Sequence, residues 1–155
     1  MAIIHWLGTG LSAIPGLIKL IEDGNSVIVY NRTVETPAQA LSEIKGDFKI
    51  VPFSLDDIQN NANAGDVVVS MLPGNFHVPV AELSLSLGAH FVSSSYISEE
   101  MQSLHESSVK KNLCLVNEVG LDPGIDHSMS HALVEDYKNS KVFSAENQHS
   151  FLSYC

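Results

Sequence analysis

Gly8, Gly10 and Ala13 stand at the spacing G-x-G-x-x-A, directly after the apolar run Ala2-Ile3-Ile4-His5-Trp6-Leu7 and directly before the apolar run Ile14 to Ile21. A strand, a glycine turn and a helix in that order hold a dinucleotide pyrophosphate. Gly8 permits the tight turn, and Gly10 lets the backbone approach the phosphates with no Cβ in the way. Ala13 is the small residue where helix packs on strand. The free N–H groups and positive dipole end of the helix then face the anion. Gly8 and Gly10 are therefore candidate cofactor contacts.

About 20 residues further on, the next apolar run ends in Tyr30-Asn31-Arg32-Thr33, with no carboxylate at its tip to receive the ribose hydroxyls of NAD. The Arg32 guanidinium instead suits a 2′-phosphate through charge-assisted hydrogen bonds, with Asn31 and Thr33 adding neutral ones. The expected cofactor is NADP(H). Three more polar stretches follow apolar runs: Met71-Leu72-Pro73-Gly74-Asn75-Phe76-His77, Ser93-Ser94-Ser95-Tyr96, and Asn117-Glu118-Val119-Gly120-Leu121-Asp122-Pro123-Gly124-Ile125-Asp126-His127. Each alone passes as turn formers and helix caps. On a parallel sheet all three fall on the same carboxyl edge as the glycine turn, and together they frame one ligand cleft. His127 and His131 are spaced to share a metal, but no third ligand is evident, so no metal site is expected. His127 beside Asp126 reads as structural.

The scaffold under these tips is an alternation of strand and helix. The first helix ends near Asp23 with Gly24 as its cap. Strands are expected at 27–30, 48–51, 66–71, 90–92 and 113–116, and helices at 37–44, 55–60, 78–87, 99–111 and 125–137. Ser98 caps the 99–111 helix, and the polar patch from Asn60 to Gly65 is a surface loop. Apolar strands alternating with helices predict an α/β fold of Rossmann type, a doubly wound parallel sheet covered on both faces.

A chain of 155 residues is long enough for one domain with a real core and too short for two full ones. The formal net charge of −10 argues against a nucleic-acid or anionic-membrane partner, because phosphate neutralisation needs clustered Lys and Arg. No apolar run approaches the roughly 20 residues of a spanning helix, and no signal peptide is visible. The two cysteines, Cys114 and Cys155, make no disulfide framework, and Cys114 in an apolar stretch is expected to be a buried thiol. A reducing, cytoplasmic setting follows as the default.

The glycine turn, the Asn31-Arg32-Thr33 tip, Leu72-Pro73 with Phe76-His77, Ser94-Ser95-Tyr96 and above all Glu118 to His127 together resemble the saccharopine dehydrogenase family, in its glutamate-forming (saccharopine reductase) type. The resemblance runs from about Ile3 to the end, and the 120–127 segment is its most specific part. It implies an NADP(H)-binding Rossmann domain over 1–139, the start of an α/β substrate and dimerisation domain over 140–155, and a homodimer at full length. The implied reaction, part of lysine metabolism, is the reversible NADP-dependent conversion of saccharopine to glutamate and 2-aminoadipate 6-semialdehyde. The resemblance puts Gly8 to Ser12, Asn31 to Thr33, Leu72, Val119 and Gly120 against the cofactor, and Ser95, Tyr96 and Asp122 against saccharopine.

Those residue types suit imine chemistry. A carboxylate such as Asp122 either stabilises a protonated imine or binds the ammonium group of the substrate. His77, His127 or Tyr96 is placed to shuttle a proton. Family members are much longer than this chain, and the segment 149–155 reads as the first strand of the second domain. With Arg32 as its one arginine, the chain is expected to bind NADPH weakly and not to turn over the three-carboxylate substrate alone. Two other readings stay open: an imine reductase similar to carboxynorspermidine dehydrogenase, and a non-catalytic dinucleotide-binding module.

Overall fold

The computed structural model describes residues 2–140 and 144–146. Among them six strands lie parallel in one sheet: β1 (Ile4–Leu7), β2 (Val27–Asn31), β3 (Phe48–Pro52), β4 (Val67–Ser70), β5 (His90–Ser93) and β6 (Leu115–Val116). Their spatial order is β3-β2-β1-β4-β5-β6. The direction of winding therefore reverses between β1 and β4, whose registered pairs run from Ile4–Val67 to Leu7–Ser70. In open α/β sheets a ligand crevice forms at that reversal, beyond the carboxyl ends of the strands.

Successive strand residues point to opposite faces, and each face builds its own core. Trp6, Val27 and Val29 pack with Leu17 and Ile21 of α1 (Ile14–Glu22) and with Leu41, just past α2 (Glu35–Ala40). Leu7, Tyr30, Val68 and Phe91 pack on the other face with Ile58 of α3 (Leu55–Asn61), Val80 and Ala81 of α4 (His77–Leu87) and Met101 of α5 (Glu99–Ser103). The remaining helices are α6 (His105–Lys110) and α7 (Ile125–Lys138), and a 3-10 turn at Gly74–Phe76 leads into α4. The α/β, doubly wound parallel sheet expected from the alternation is the observed fold.

Several expectations need correction. The helix expected at 37–44 begins at Glu35 and ends at Ala40. Pro37 is its third residue, where its missing N–H is still one of the donors a helix start leaves unpaired. The helix from Ser98 does receive its cap, Ser98 Oγ accepting the Met101 N–H at 3.2 Å, but it divides into α5 and α6 at Leu104. Ser103 and Ser108 on either side donate their hydroxyls back to the Glu100 and His105 carbonyls, competing with the helical ladder. In the patch from Asn60 to Gly65, Asn60 and Asn61 belong to α3 and Ala62 is buried. Cys114 is exposed rather than buried: it precedes a two-residue strand at the sheet edge, paired on the β5 side only. The strand expected at 149–155, and with it most of the second-domain segment 140–155, lies outside the described residues. No helix among the described residues is long and apolar enough to cross a membrane.

One polar cluster sits inside the sheet. His5 is fully buried, with Nδ1 2.9 Å from the Tyr30 hydroxyl and Nε2 3.2 Å from Asp66 Oδ2. Asp66 also accepts the Ile3 and Asn63 backbone N–H groups at 2.8 Å each. Burial holds His5 below the usual histidine range, against a smaller upward pull from Asp66; burial likewise lowers buried His77. For Asp66, burial pushes upward, but the Ile3, Asn63 and His5 hydrogen bonds outweigh it and the net shift is down.

The sign of the pH effect follows. Below about pH 6.5 the unfolded chain takes up protons that folded His5 and His77 refuse, so stability falls on acidification from pH 7 towards 5. The slope should reach at most about 1.4 kcal/mol per pH unit for each histidine. Asp66 acts lower, its stabilisation being lost only as pH falls through its depressed value. Urea midpoints across this range should fall with pH, and His5→Gln should flatten the slope; an unaltered slope in the variant would exclude His5 as a source.

Candidate functional site

The glycine turn is fixed by the strands around it. The Gly8 N–H donates to the Tyr30 carbonyl at 2.8 Å, and the Gly8 carbonyl accepts the Trp6 indole N–H at 2.9 Å. Gly8 has φ +92°, and a Cβ there would lie 2.9 Å from the Met71 carbonyl oxygen, so only glycine fits between β1 and the start of the β4 tip. A Cβ on Gly10, by contrast, would meet nothing within 4 Å. Leu11 is 96% exposed, Ser12 is exposed and Ala13 is buried against the strand face.

Two features of the turn fit an anion. The Thr9 hydroxyl is buried with no hydrogen-bond partner among the described residues, a cost that a ligand oxygen would relieve. The α1 N-terminus has no side-chain cap; the Ile14 N–H is turned back to the Gly10 carbonyl at 3.3 Å and Pro15 carries none, so what the helix end offers a phosphate is chiefly its positive dipole end. At the neighbouring β2 tip the Asn31 amide donates to the Thr33 carbonyl at 2.8 Å, and the Thr33 and Thr36 hydroxyls are 3.2 Å apart. These bonds close the bend over which the exposed Arg32 projects.

Cavities open at the carboxyl edge. One, of about 490 Å³, runs between Ser12, Ala13 and Gly16 on the α1 side and Ser94, Gly120 and Asp122 on the other, with Trp6 and Met71 in its wall. It brings the glycine turn together with the β5 and β6 tips. The second, of about 360 Å³, is lined by Gly74, His77, Ser95, Tyr96 and Met101. A side-chain bridge links them: the Tyr96 hydroxyl donates to Asp122 Oδ1 at 2.5 Å. That bond, with the charges of Asp122, Asp126 and Glu118 adding to it, pushes the Tyr96 phenol up to about 12. Tyr96, protonated at neutral pH as any phenol is, acts here as a donor.

Of the residues singled out in the sequence, Gly8, Ser12, Val119, Gly120 and Asp122 gather around the first cavity or its turn, and Tyr96 and Ser95 around the second. Leu72 packs beside Gly8, its Cδ2 3.4 Å from where a Cβ would stand. Asn31, Arg32 and Thr33 stand apart at the β2 tip. His77 is buried, 4% exposed, with Nδ1 3.0 Å from Ser70 Oγ and Nε2 2.7 Å from Ser95 Oγ. His127 Nδ1 lies 3.0 Å from Asp126 Oδ1, and that carboxylate also accepts the Gly124 N–H at 2.8 Å. Among the described residues no group of three or more His, Cys, Asp or Glu could hold a metal ion.

The sequence reading placed Ser93 and Glu118 in the cleft tips without a role of their own, and gave Ser70 none. Ser93 Oγ donates to Asn117 Oδ1 at 2.8 Å, tying the β5 and β6 tips. Glu118 has φ +62°, a conformation costly for a side chain of its size. It donates its N–H to the Ser95 carbonyl and accepts the Ile97 N–H on Oε1, both at 3.2 Å. Gly120 to Gly124 closes on itself, the Gly120 N–H reaching the Pro123 carbonyl at 3.0 Å, with the Asp122–Pro123 peptide cis. Only Glu118 carried a signal, as the first of three carboxylates in the β6 tip, with Asp122 and Asp126.

Comparison with known proteins follows the same lines. The chain is 32% identical over 152 residues to saccharopine dehydrogenase [NADP(+), L-glutamate-forming] of Pyricularia oryzae, and 35% identical over 155 residues to the enzyme of that name from Saccharomyces cerevisiae. Each alignment takes in 96% of this chain and 33% of the relative, so the chain spans about a third of the length of these proteins. The apo structure of the Saccharomyces cerevisiae saccharopine dehydrogenase (L-Glu forming) superposes with a TM-score of 0.70 at 27% identity, over 88% of this chain and 31% of that one. Scyllo-inositol dehydrogenase from Lactobacillus casei, at 17% identity and a TM-score of 0.64, covering 89% of this chain and 42% of that one, shares the fold. Residues 4–116 match the model of the saccharopine dehydrogenase NADP binding domain, the stretch from β1 to β6 that carries the glycine turn, Arg32 and the β4 and β5 tips. By that match and these relatives, the chain belongs to the saccharopine dehydrogenase NADP-binding domain family.

Proposed function

We propose that this chain is the cofactor-holding part of an oxidoreductase acting on the CH–NH group of saccharopine, which it converts reversibly to glutamate and 2-aminoadipate 6-semialdehyde. The cofactor is NADP(H). The family match supports it, and so do the empty space over Gly10, the orphaned Thr9 hydroxyl, the uncapped α1 N-terminus and a β2 tip with Arg32 in place of a carboxylate. NADP(H), when bound, supplies or accepts the hydride.

The observation that carries the reading is the Tyr96–Asp122 bridge at the lip of the cofactor cleft. The turn that Gly8 opens binds the pyrophosphate through the N–H groups from Thr9 to Ser12, Arg32 with Asn31 and Thr33 binds the 2′-phosphate, and Leu72, Val119 and Gly120 the inner half of the cofactor. Ser95, Tyr96 and Asp122 face the substrate. Asp122 places a negative charge where the linking nitrogen is protonated, stabilising an iminium in the reductive direction and an ammonium in the other. Tyr96 holds that carboxylate by donating to it.

Trp6, the chain's one tryptophan, lines the cofactor cavity, so titration with NADPH should quench its fluorescence in a saturable way. Saccharopine-dependent NADPH formation is expected from the protein extended to its relatives' length and not from these 155 residues. One arginine and a net charge of −10 hold a three-carboxylate substrate poorly. Absence of NADPH binding would sink the cofactor assignment. Binding without saccharopine turnover at full length would sink the substrate.

A further inference from the structure

We propose that His77 is a positioning residue: acting through Ser95, it holds the β5 tip so that the Tyr96 hydroxyl rests on Asp122. One end of this strut is rigid. Ser70 is the last residue of β4, fully buried, and registered against Leu7 and Ser93 in the middle of the sheet. The imidazole joins that fixed point, 3.0 Å from Nδ1, to the Ser95 hydroxyl, 2.7 Å from Nε2. Ser95 lies two residues past the end of β5, in the part of the tip that has left the sheet, and Tyr96 follows it directly.

Two further bonds complete the frame. The Ser95 carbonyl accepts the Glu118 N–H, and the Glu118 carboxylate accepts the Ile97 N–H, both at 3.2 Å. Tyr96 is thus flanked by two tethered residues, one held from the sheet through His77 and one from the β6 loop through Glu118. A neutral imidazole donates from one nitrogen and accepts at the other, and a serine hydroxyl does both, so the chain Ser70–His77–Ser95 is satisfied without water, with the Leu72 backbone as a further partner of the ring. Burial, which holds His77 below the usual histidine range, keeps the ring neutral. A proton passed inward along this chain would end at Ser70, which solvent does not reach. The geometry favours a strut over a shuttle.

Side-chain length separates the two ends of the strut. In His77→Asn the amide replaces the Nδ1 edge and keeps Ser70, but falls short of Ser95. In His77→Gln it reaches the position of Nε2 and keeps Ser95. The substrate that Tyr96 and Asp122 serve rests on the function proposed above. Amide hydrogen exchange on this chain needs neither cofactor nor substrate, so failure of that reading leaves the measurement intact. Exchange at the Ile97 and Glu118 amides should quicken at least 10-fold in His77→Asn and return towards wild type in His77→Gln, with Val68 and Phe91 in the core unchanged. Ser95→Ala should reproduce the Asn effect and add nothing to it in the double variant. Equal acceleration at tip and core in both variants would reduce His77 to a packing residue and overturn the proposal, as would tip amides that ignore His77→Asn.

Discussion

Replacing Arg32 with alanine should weaken NADPH binding by roughly 10- to 100-fold while changing NADH binding by less than about twofold. The asymmetry comes from where Arg32 sits. It follows β2, the neighbour of β1, at the tip where the adenosine ribose of a cofactor on the glycine turn must lie. The two cofactors differ there by one phosphate. Arg32 is exposed, and the bend is closed by the Asn31–Thr33 bond and not by Arg32, so the phosphate loses its charged partner and keeps only neutral ones while the fold loses nothing. Because the pair is solvated, the NADPH preference should also shrink as salt rises from about 50 to 500 mM. Titration of wild type and variant with both nucleotides at two ionic strengths checks both statements. Equal losses for NADPH and NADH would remove Arg32 from the phosphate site.

The second large effect divides the glycine turn into a folding residue and a binding residue. Gly10→Ala should leave the thermal midpoint within about 1 °C of wild type and reduce NADPH affinity at least 10-fold. The added methyl meets no protein atom within 4 Å and so occupies the space that the phosphates need. Gly8→Ala should do the reverse at its origin. A methyl 2.9 Å from the Met71 carbonyl, on a residue at φ +92°, forces β1 and the β4 tip apart and costs about 2–4 kcal/mol of stability. Cofactor binding then fails because the turn has moved. Thermal melts and NADPH titrations on both variants separate the two: Gly10→Ala losing its fold, or Gly8→Ala melting normally, would contradict the assignment.

The turn was legible because its constraints are local. A positive φ, a missing Cβ and a small residue at fixed offsets can be read from six consecutive letters. The sheet was legible for a similar reason, since runs such as Val67-Val68-Val69 declare a strand buried on both faces. What stayed hidden was set by partners far along the chain. His5 reads as a polar interruption in an apolar strand, and only Tyr30 and Asp66, 25 and 61 residues away, make it a satisfied interior group. Cys114 reads as core because its neighbours are apolar, whereas its exposure depends on β6 being an edge. Tyr96 and Asp122 were both expected on the carboxyl edge, but no spacing rule says that a hydroxyl from one tip meets a carboxylate from another. His77 shows the limit most clearly, for its two serines come from two other segments and neither spacing is a motif.

The reversal of strand order between β1 and β4 divides the work between two sides of the molecule. On the β2 side lies Arg32, proposed above to distinguish one dinucleotide from another; on the β5 and β6 side lie Tyr96 and Asp122, proposed to face the substrate. Each group hangs on a tip beyond the carboxyl end of the sheet, outside the two cores beneath. Selection can therefore retune the redox currency of such a protein without altering its choice of metabolite, or exchange the metabolite while keeping the currency.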